Sequence, residues 1–406
     1  MPSKIDKIFE DRGLNKGAPT GFINQRSTKR EMARRKVYID LLNLNKASCF
    51  AQSGFKRAKE AVTKIKDGEE INFQVTVNNI IFNMIITALF GEEQLEFVKK
   101  PRPYLMPDGS YDQVNMCELV VRVGNSLILH RVNPCTTLLP WVNNYTIFQP
   151  YKRDNVNLTT FRSLFRELVN LCNDPNSLCK KVFAIGEYKF DEIMDDMITM
   201  VVAGIETTSR TITTILFYLK KNPEKRELLI KELRDNGFDK NTNWEELNLE
   251  KLLSLDYLTC VCKEALRIDS PASDVAYYHC YDDVKICGVD IPKGTFIKPD
   301  VYSPHYDPKK WYEPYEFVPE RHDPDSEFTK KALAAGAKPD MYSRRNFGHG
   351  LRSCPGKTLA FYNMRVVVTY LLSTIDYEVM DDLLTKEGVG FGLGSLILPK
   401  FKISKL

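Results

Sequence analysis

The stretch of this chain best suited to chemistry runs from Phe347 to Gly356 and reads F-G-H-G-L-R-S-C-P-G. Its single cysteine, Cys354, stands in a loop punctuated by glycines, and an apolar helix is predicted to follow from Lys357. Glycines permit a tight turn and a close approach of the backbone. The start of the following helix would favour a thiolate over a thiol. The pattern therefore predicts a loop that presents sulfur as an axial ligand to haem iron.

The residues beside the cysteine agree with that prediction. Arg352 is placed to pair with a haem propionate. Pro355 has no N–H, so the sulfur must take its backbone hydrogen bonds from Gly356 and other neighbours. A thiolate ligand pushes electron density onto iron and favours O–O cleavage. The alternative is a structural cysteine in a surface loop, which the agreement of several residue types disfavours.

This run resembles the haem-binding signature of the cytochrome P-450 family, F-x-x-G-x-R-x-C-x-G, and meets every fixed position. The resemblance implies a mainly α fold with a small β portion and a bound haem b whose iron is ligated by Cys354. It also implies that the rest of the loop surrounds the cofactor, with these residues in contact with it: Phe347, Gly348, Gly350, Arg352 and Gly356.

A second motif, Ala203-Gly204-Ile205-Glu206-Thr207-Thr208, lies within a long apolar helix. Ala203 and Gly204 would leave room for a flat ligand to press on the helix. Thr207 could bond back to the carbonyl at 203, which bends or opens a helix. The motif resembles the family's A-G-x-[E/D]-T. That resemblance implies that Thr207 steers protons to dioxygen and that Glu206 helps to relay them.

A third motif pairs Glu264 with Arg267 on one helix face. An exposed surface pair is the commoner meaning of such spacing. The motif resembles the family's E-x-x-R helix, in which the pair is buried and meets an arginine from a P-E-R-F-like coil. Here Arg321 would be that arginine, and His322 replaces the usual aromatic residue. The resemblance implies a structural network that fixes the coil presenting Cys354.

Two features depart from the family pattern. The basic helix predicted over 27–47, capped by Ser27 or Thr28, offers Arg34 or Arg35 to a haem propionate, but it lacks the family's preceding tryptophan. A solvated basic face explains that run equally well. The region 275–280 has no arginine for the propionates, so His279 or Tyr278 could substitute and Arg352 would carry more of the anchoring.

The remaining patterns predict a single domain over 1–406. A helix-rich part covers 27–268, with a Pro/Gly-rich loop at 101–112 and helices over 55–66, 71–90, 114–131, 155–172, 190–221, 223–235 and 256–268. A small β region follows at about 273–305. A coil over 303–346, the ligand loop and its helix at 346–375, and β pieces at 390–404 complete the chain.

Composition is that of a soluble globular protein: 406 residues, 43% hydrophobic, 27% charged and a net charge of +4, which is too modest to indicate nucleic acid. Its ten cysteines show no zinc-like pairing. No apolar run reaches the roughly 18 residues of a spanning helix, and no signal peptide is seen. The chain as given is expected to be soluble or peripheral, on the cytoplasmic side.

Eukaryotic members of the family carry a membrane anchor and sheet strands ahead of the basic helix, and they sit on the endoplasmic reticulum membrane. We expect this chain to be a truncated member, for which membrane association stays possible. On that hypothesis, strands near 275–280 and 295–301 would lose pairing partners and expose a sheet edge.

The resulting functional hypothesis is a haem-dependent monooxygenase that inserts one atom of dioxygen into an apolar small molecule. An NADPH-dependent reductase or another donor would supply electrons. A basic face of Arg344, Arg345 and Lys357 could dock it, or could be ordinary surface charge. Pocket residues are expected near 199–207, 271–278, 390–394 and 101–135. The alternatives are a non-catalytic haem-binding remnant and an enzyme of rearrangement or peroxide type.

Overall fold

The structure, a computed structural model, describes residues 5–8, 14–42, 48–129, 149–245, 249–272, 277–380 and 400–406. Its helices are α1 (Leu14–Gly17), α2 (Lys29–Leu41), α3 (Ser48–Lys64), α4 (Phe73–Phe90), α5 (Leu95–Lys99), α6 (Met116–Leu129), α7 (Gln149–Leu171), α8 (Leu178–Phe183), α9 (Phe190–Lys221), α10 (Pro223–Asp235), α11 (Leu249–Leu253), α12 (Asp256–Ile268), α13 (Glu327–Ala334) and α14 (Lys357–Thr374). Its strands are β1 (Ile5–Ile8), β2 (Glu69–Ile71), β3 (Arg102–Leu105), β4 (Tyr111–Val114), β5 (Tyr277–Cys280), β6 (Val284–Ile286), β7 (Val289–Ile291), β8 (Phe296–Ile297), β9 (Ile375–Val379) and β10 (Phe401–Lys405).

The predicted bounds of α9, α10 and α12 are confirmed to the residue, because local signals mark their ends. Helix α9 carries acidic residues in its first turn and Lys220 and Lys221 in its last, which complements the helix dipole. Helix α10 begins at a proline and is followed by Gly237 in the left-handed conformation, with φ of 80°. In α2, the Thr28 hydroxyl accepts a hydrogen bond from the Glu31 amide, so Thr28 is the cap.

Within the described residues the strands form two three-stranded antiparallel sheets, ordered β1-β5-β8 and β2-β10-β9, and two hairpins, β3-β4 and β6-β7. The expectation that the strand at 275–280 lacks partners is wrong. Strand β5 pairs with β1, which puts Ile5 opposite Cys280, and with β8, which puts Tyr278 opposite Ile297. The segment at the start of the chain therefore covers one edge of β5.

Two other expectations are corrected. Residues 101–112 contain the hairpin β3-β4 rather than a loop, since Gly109, with φ of 87°, marks the turn between two strands. The coil over 303–346 contains helix α13, whose cap is the Ser326 side chain, which accepts a hydrogen bond from the Thr329 amide. The flanking prolines and aspartates hid this short helix from the sequence analysis.

The chain forms two compact units, and the first comprises Met1–Leu41, Ile85–Ile205 and Val275–Pro299. Two adjacent buried aspartates of α9 hold its N-terminal segment. Asp195 accepts hydrogen bonds from the amide and hydroxyl of Thr20 (2.8 and 2.7 Å). Asp196 accepts from the amide of Phe22 (2.7 Å) and forms an ion pair with Arg34 (2.6 Å).

Glycine is required where this segment meets α9. A Cβ added at Gly21 would lie 2.7 Å from the Thr199 hydroxyl and 3.1 Å from the Asp195 carbonyl oxygen. Any side chain at this position would therefore push the N-terminal segment away from the two aspartates.

The second unit comprises Leu42–Met84, Glu206–Asp274 and Asp300–Leu406. Helix α14 is its central element, and nearly every residue from Tyr362 to Ser373 is buried, as expected of a helix that is apolar all round. It packs against α3, where a Cβ at Gly54 would lie 2.7 Å from Val366. Strand β9 continues from α14, and the Tyr377 hydroxyl donates to the Leu216 carbonyl (2.8 Å).

Among the described residues, one helix, Phe73–Phe90, is long and apolar enough to cross a membrane by length and composition alone. Polar residues interrupt this helix, so the sequence shows no continuous apolar run of about 18 residues there. Of this helix, 67% is buried inside the protein, which is typical of a core helix.

The ion pair of the first unit yields a prediction. Arg34 and Asp196 have 1% and 0% exposed side chains, so Arg34→Met leaves a buried carboxylate unpaired. We expect the free energy of unfolding to fall by about 3–5 kcal/mol in urea titrations. The matched control is Lys99→Met, whose pair with the exposed Glu96 is screened by water, so its loss should leave the free energy of unfolding nearly unchanged. Equal losses in the two variants would contradict this account.

Candidate functional site

A buried carboxylate lies at the centre of the second unit. Glu264 and Arg267 on α12 both have 0% exposed side chains. The Arg267 guanidinium donates from Nε to Glu264 Oε2 (2.9 Å) and from Nη2 to Oε1 (2.8 Å). This bidentate geometry is the strongest form of such a pair. The helical spacing of the two residues produces it directly.

The structure brings Arg321, the third predicted member, to the same carboxylate. Its Nε donates to Glu264 Oε1 (2.9 Å), and the amide of Val318 donates to the same oxygen (3.0 Å). The other guanidinium donors of the two arginines bind backbone carbonyls of the coil, at positions His305, Tyr312, Glu313, Pro314 and Glu316. The network thus fastens the coil that leads to Cys354.

His322 is a fourth member that the sequence analysis treats only as a departure from the family pattern. Its Nε2 lies 2.9 Å from Glu264 Oε2, and its ring packs edge-on against Trp311 at 5.8 Å. Burial lowers the pKa of His322 to about 4, against the opposing effect of Glu264. Burial alone would raise the pKa of Glu264, but the hydrogen bonds and charge of Arg267, together with His322, hold it well below its ordinary value.

The segment before the cysteine loop is tied to this network at three successive residues. Arg344 Nη1 lies 3.4 Å from His322 Nδ1. The amide of Arg345 donates to His305 Nε2 (2.9 Å). The side-chain amide of Asn346 donates to the carbonyl of Leu266 on α12 (2.5 Å). The network around Glu264 therefore fixes the position of the chain up to Asn346, the residue immediately before Phe347.

The cysteine loop closes on itself. The amide of Cys354 donates to the Phe347 carbonyl at 2.7 Å, and Gly348 and Gly350 have φ of 66° and 69°. These left-handed conformations explain why glycine stands at both positions. The Phe347 ring packs on Phe361 of α14 at 5.7 Å between ring centroids, which anchors the loop to the central helix.

The loop presents the Cys354 side chain at the surface of the unit, beside the start of α14. Cys354 is exposed, and a Cβ at the helix cap, Gly356, would lie 3.9 Å from its sulfur. The positive end of an 18-residue helix favours the thiolate. Within the described part of the chain, a Cβ at Gly350 would meet no atom within 4 Å, so no described residue crowds this side of the loop. Arg352 is buried. These features fit a thiolate-ligated haem.

The helix motif is placed as follows. Helix α9 runs unbroken through it; Ala203 is exposed, and Glu206 and Thr207 are half-buried. Gly204 has a packing reason of its own, because a Cβ there would lie 2.7 Å from Ile85 Cδ1. The Thr207 carbonyl accepts a hydrogen bond from the Thr211 hydroxyl (2.9 Å). The bond from Thr207 to the carbonyl at 203 stays a prediction.

The expectation that Arg34 holds a propionate is corrected. Its guanidinium is committed to the Asp196 carboxylate, to Glu31 (3.2 Å) and to the carbonyls of Thr20 and Glu192 (3.0 and 2.8 Å). With 1% exposure it has no surface to offer a ligand. Arg35 is buried with its guanidinium 5.5 Å from the Phe22 ring, and it stays a candidate.

His279 and Tyr278, also in the first unit, are the other candidates for pairing with a propionate. The His279 ring packs against Tyr281 (4.5 Å) and Phe296 (5.0 Å), and Tyr278 is half-buried. Of the pocket segments expected from the sequence, residues 130–135, 273–276 and 390–394 lie outside the described part of the chain.

The sequence patterns did not predict a buried polar cluster that lies beside the helix motif. Arg210, one turn after Thr207, pairs with Asp269 at 2.7 Å, and the Thr214 hydroxyl donates to the same carboxylate (2.9 Å). The available signal was an arginine within an apolar helix, which demands a buried partner. Nothing in the sequence named that partner, because Asp269 lies 59 positions away.

Comparison with solved structures defines the class of fold. The chain is similar to a retinoic acid bound cyanobacterial CYP120A1, with a TM-score of 0.74 and 16% identity over 99% of this chain and 84% of that one. It is similar to the haem domain of cytochrome P450DA, with a TM-score of 0.75 and 15% identity over 97% and 82% of the two chains. The mainly helical fold with small sheets is thus confirmed.

The family follows from sequence comparison. A model described as Cytochrome P450 matches residues 142–398, and this chain belongs to that family. It is 34% identical to Cytochrome P450 3A9 of Rattus norvegicus over 187 residues, and 32% identical to Cytochrome P450 3A31 of Mesocricetus auratus over the same length. Each match covers 46% of this chain and 34% of the relative, so about a third of each relative's length is spanned.

The contacts of Glu264 indicate what should happen when its charge is removed. Glu264→Gln leaves two buried arginines without their carboxylate, so we expect the free energy of unfolding to fall by about 3–5 kcal/mol in urea titrations. Glu327→Gln is the matched control, since its 91% exposed side chain pairs with Lys330 at the surface and should contribute about 0–1 kcal/mol. A Glu264→Gln variant as stable as the control would show that the network does not hold the coil.

Proposed function

We propose that this chain is a haem-thiolate monooxygenase that inserts one atom of dioxygen into an apolar small molecule, with electrons from an NADPH-dependent reductase or another donor. The observation that carries the proposal is the Cys354 loop, closed by the bond from its amide to Phe347 and seated at the start of α14. Bound haem would supply the oxygen chemistry, and this chain's residues would hold it and manage protons.

Each loop residue has a distinct task in this proposal. Cys354 would supply the sulfur ligand, and the adjacent helix terminus would favour its thiolate form. Arg352, with Arg35 as a further candidate, would pair with propionates. Phe347 holds the loop against α14. The basic face for an acidic electron donor would include Arg344 and Lys357, both exposed.

On the helix side, Thr207 and Glu206 would move protons. Both are half-buried, which suits groups that must exchange protons with water yet keep a fixed position. Thr211 anchors the Thr207 carbonyl through its hydroxyl. Exposed Ala203 would leave space beside them for cofactor or substrate.

The sulfur assignment is tested by Cys354→Ser. A serine hydroxyl does not ionise beside the helix terminus as a thiol does, so we expect loss of the iron–sulfur stretching band in resonance Raman spectra of the haem-loaded protein. Cys287→Ser is the matched control, because Cys287 is the other exposed cysteine in the described residues. A band that survives in Cys354→Ser, or disappears in Cys287→Ser, would overturn the assignment.

The proton role is tested by Thr207→Ala. We expect product formed per electron pair consumed to fall, with turnover lowered on the order of 10², while haem content is unchanged. Thr213→Ala is the control on the same helix, since that hydroxyl is buried and donates to the Ser209 carbonyl. If Thr207→Ala and Thr213→Ala retain equal coupling, Thr207 does not manage protons.

A further inference from the structure

Three histidines of the second unit converge on two residues, Arg344 and Arg345, that precede the cysteine loop. His305 accepts a hydrogen bond from the Arg345 amide, and His322 lies against the Arg344 side chain. His349, from within the loop, places Nε2 3.2 Å from the Arg344 carbonyl. His305 has 0% exposure and the His322 side chain has 2%, so both rings are buried, although the contact between Arg344 and His322 lies at the surface.

The partners of the two buried imidazoles fix their protonation. An amide only donates, so His305 Nε2 must carry a lone pair and its proton must sit on Nδ1. A guanidinium likewise only donates, so His322 Nδ1 accepts from Arg344 and its proton sits on Nε2, facing Glu264. Each ring is thus held neutral, in opposite tautomers, by a donor from adjacent residues of one segment.

We propose that His305 and His322 are positioning residues that hold the 344–346 segment, and with it the Cys354 loop, in its ligand-presenting form, and that protonating these two imidazoles releases the loop. The effect on haem rests on the proposed function, whereas the hold on the segment does not. His349 takes no part in this pH response. Its bond to the Arg344 carbonyl needs a donor nitrogen, so the bond persists when the ring is charged.

Protonation removes the lone pairs on which both contacts depend. A charged His305 would direct an N–H at the Arg345 amide, and a charged His322 would direct one at the Arg344 guanidinium. The charged groups facing His322 are Glu264, Arg267 and Arg344, and Arg321 already shares that carboxylate. Those facing His305 are Arg267, Arg345 and Asp300. At His305 the cations outnumber the anion and disfavour an added proton, whereas at His322 the contact with Glu264 favours a proton and burial opposes it.

The pH window follows from the direction of these shifts. Burial, with Arg267 as the next cause, lowers the pKa of His305 to about 4, and burial lowers that of His322 to about 4, from an ordinary value of 6.5. Since the folded pKa lies below the unfolded one, the hold is fully present above about pH 6.5 and is lost as pH falls towards 4. A groove of about 970 Å³ is lined by Pro304 and Tyr306, the chain neighbours of His305, and by Arg345, whose amide donates to His305.

The first experiment needs no haem. In the full chain we would measure amide hydrogen exchange at Arg345 by NMR or peptide mass spectrometry near pH 7. His305→Leu removes the acceptor, so exchange should accelerate by about tenfold. His305→Gln offers a carbonyl oxygen near the Nε2 position and should restore slow exchange. Equal exchange in both variants, with both folded, would overturn the role of His305.

The second experiment uses the haem-loaded protein, titrated from about pH 7.5 to about pH 4 while the carbon monoxide difference spectrum is recorded. The wild type should change from a thiolate-type to a neutral-thiol-type band within this window. A His305→Gln/His322→Phe variant should convert at clearly lower pH, and the control Lys330→Gln, an exposed side chain of the same unit, should behave as wild type.

The two experiments test the proposed haem function and the role of the histidines separately. A wild-type chain that binds no haem defeats the proposed function but leaves the exchange experiment valid. Haem binding with the same transition pH in the double variant defeats the histidine inference alone.

Discussion

The buried carboxylate of Glu264 is the constraint on which the second unit depends. It accepts hydrogen bonds from two arginines and from the Val318 amide, and it contacts one histidine, all without access to water. Such a network is not a source of stability in itself, because apolar residues of similar volume could replace it at little cost. The network instead fixes geometry. Each arginine donates its remaining N–H groups to carbonyls of an irregular coil, which lacks the hydrogen-bond ladder of a helix or sheet.

The position of the cysteine loop is fixed by this coil on one side and by helix α14 on the other. Three consecutive residues before the loop bind side chains or backbone fixed by the network. The loop then closes through the Cys354 amide and enters a helix that is buried over most of its length. A sulfur ligand must point in one direction with small error, and two independent anchors achieve that better than one. The left-handed glycines allow the turn between them.

The sequence predicts the parts of this arrangement that local signals encode. Helix α12 and the Glu264–Arg267 pair follow from periodicity and spacing, and the cap at Gly237 ends α10 where expected. Arg34 was misassigned because its partner, Asp196, lies 162 positions away and no local pattern links them. His322 looked like a departure because its role depends on two partners in different elements. Local patterns therefore do not place residues with long-range polar partners; Arg321, 57 positions from Glu264, was placed because a family motif supplied the partner.

The central claim is that the network and helix α14 together present Cys354 as a thiolate to haem. The carbon monoxide difference spectrum of the reduced, purified wild-type chain near neutral pH tests it most directly. This account predicts the red-shifted Soret band that is typical of a thiolate ligand in this family. A band of neutral-thiol or histidine type, or a chain that takes up no haem, would contradict it.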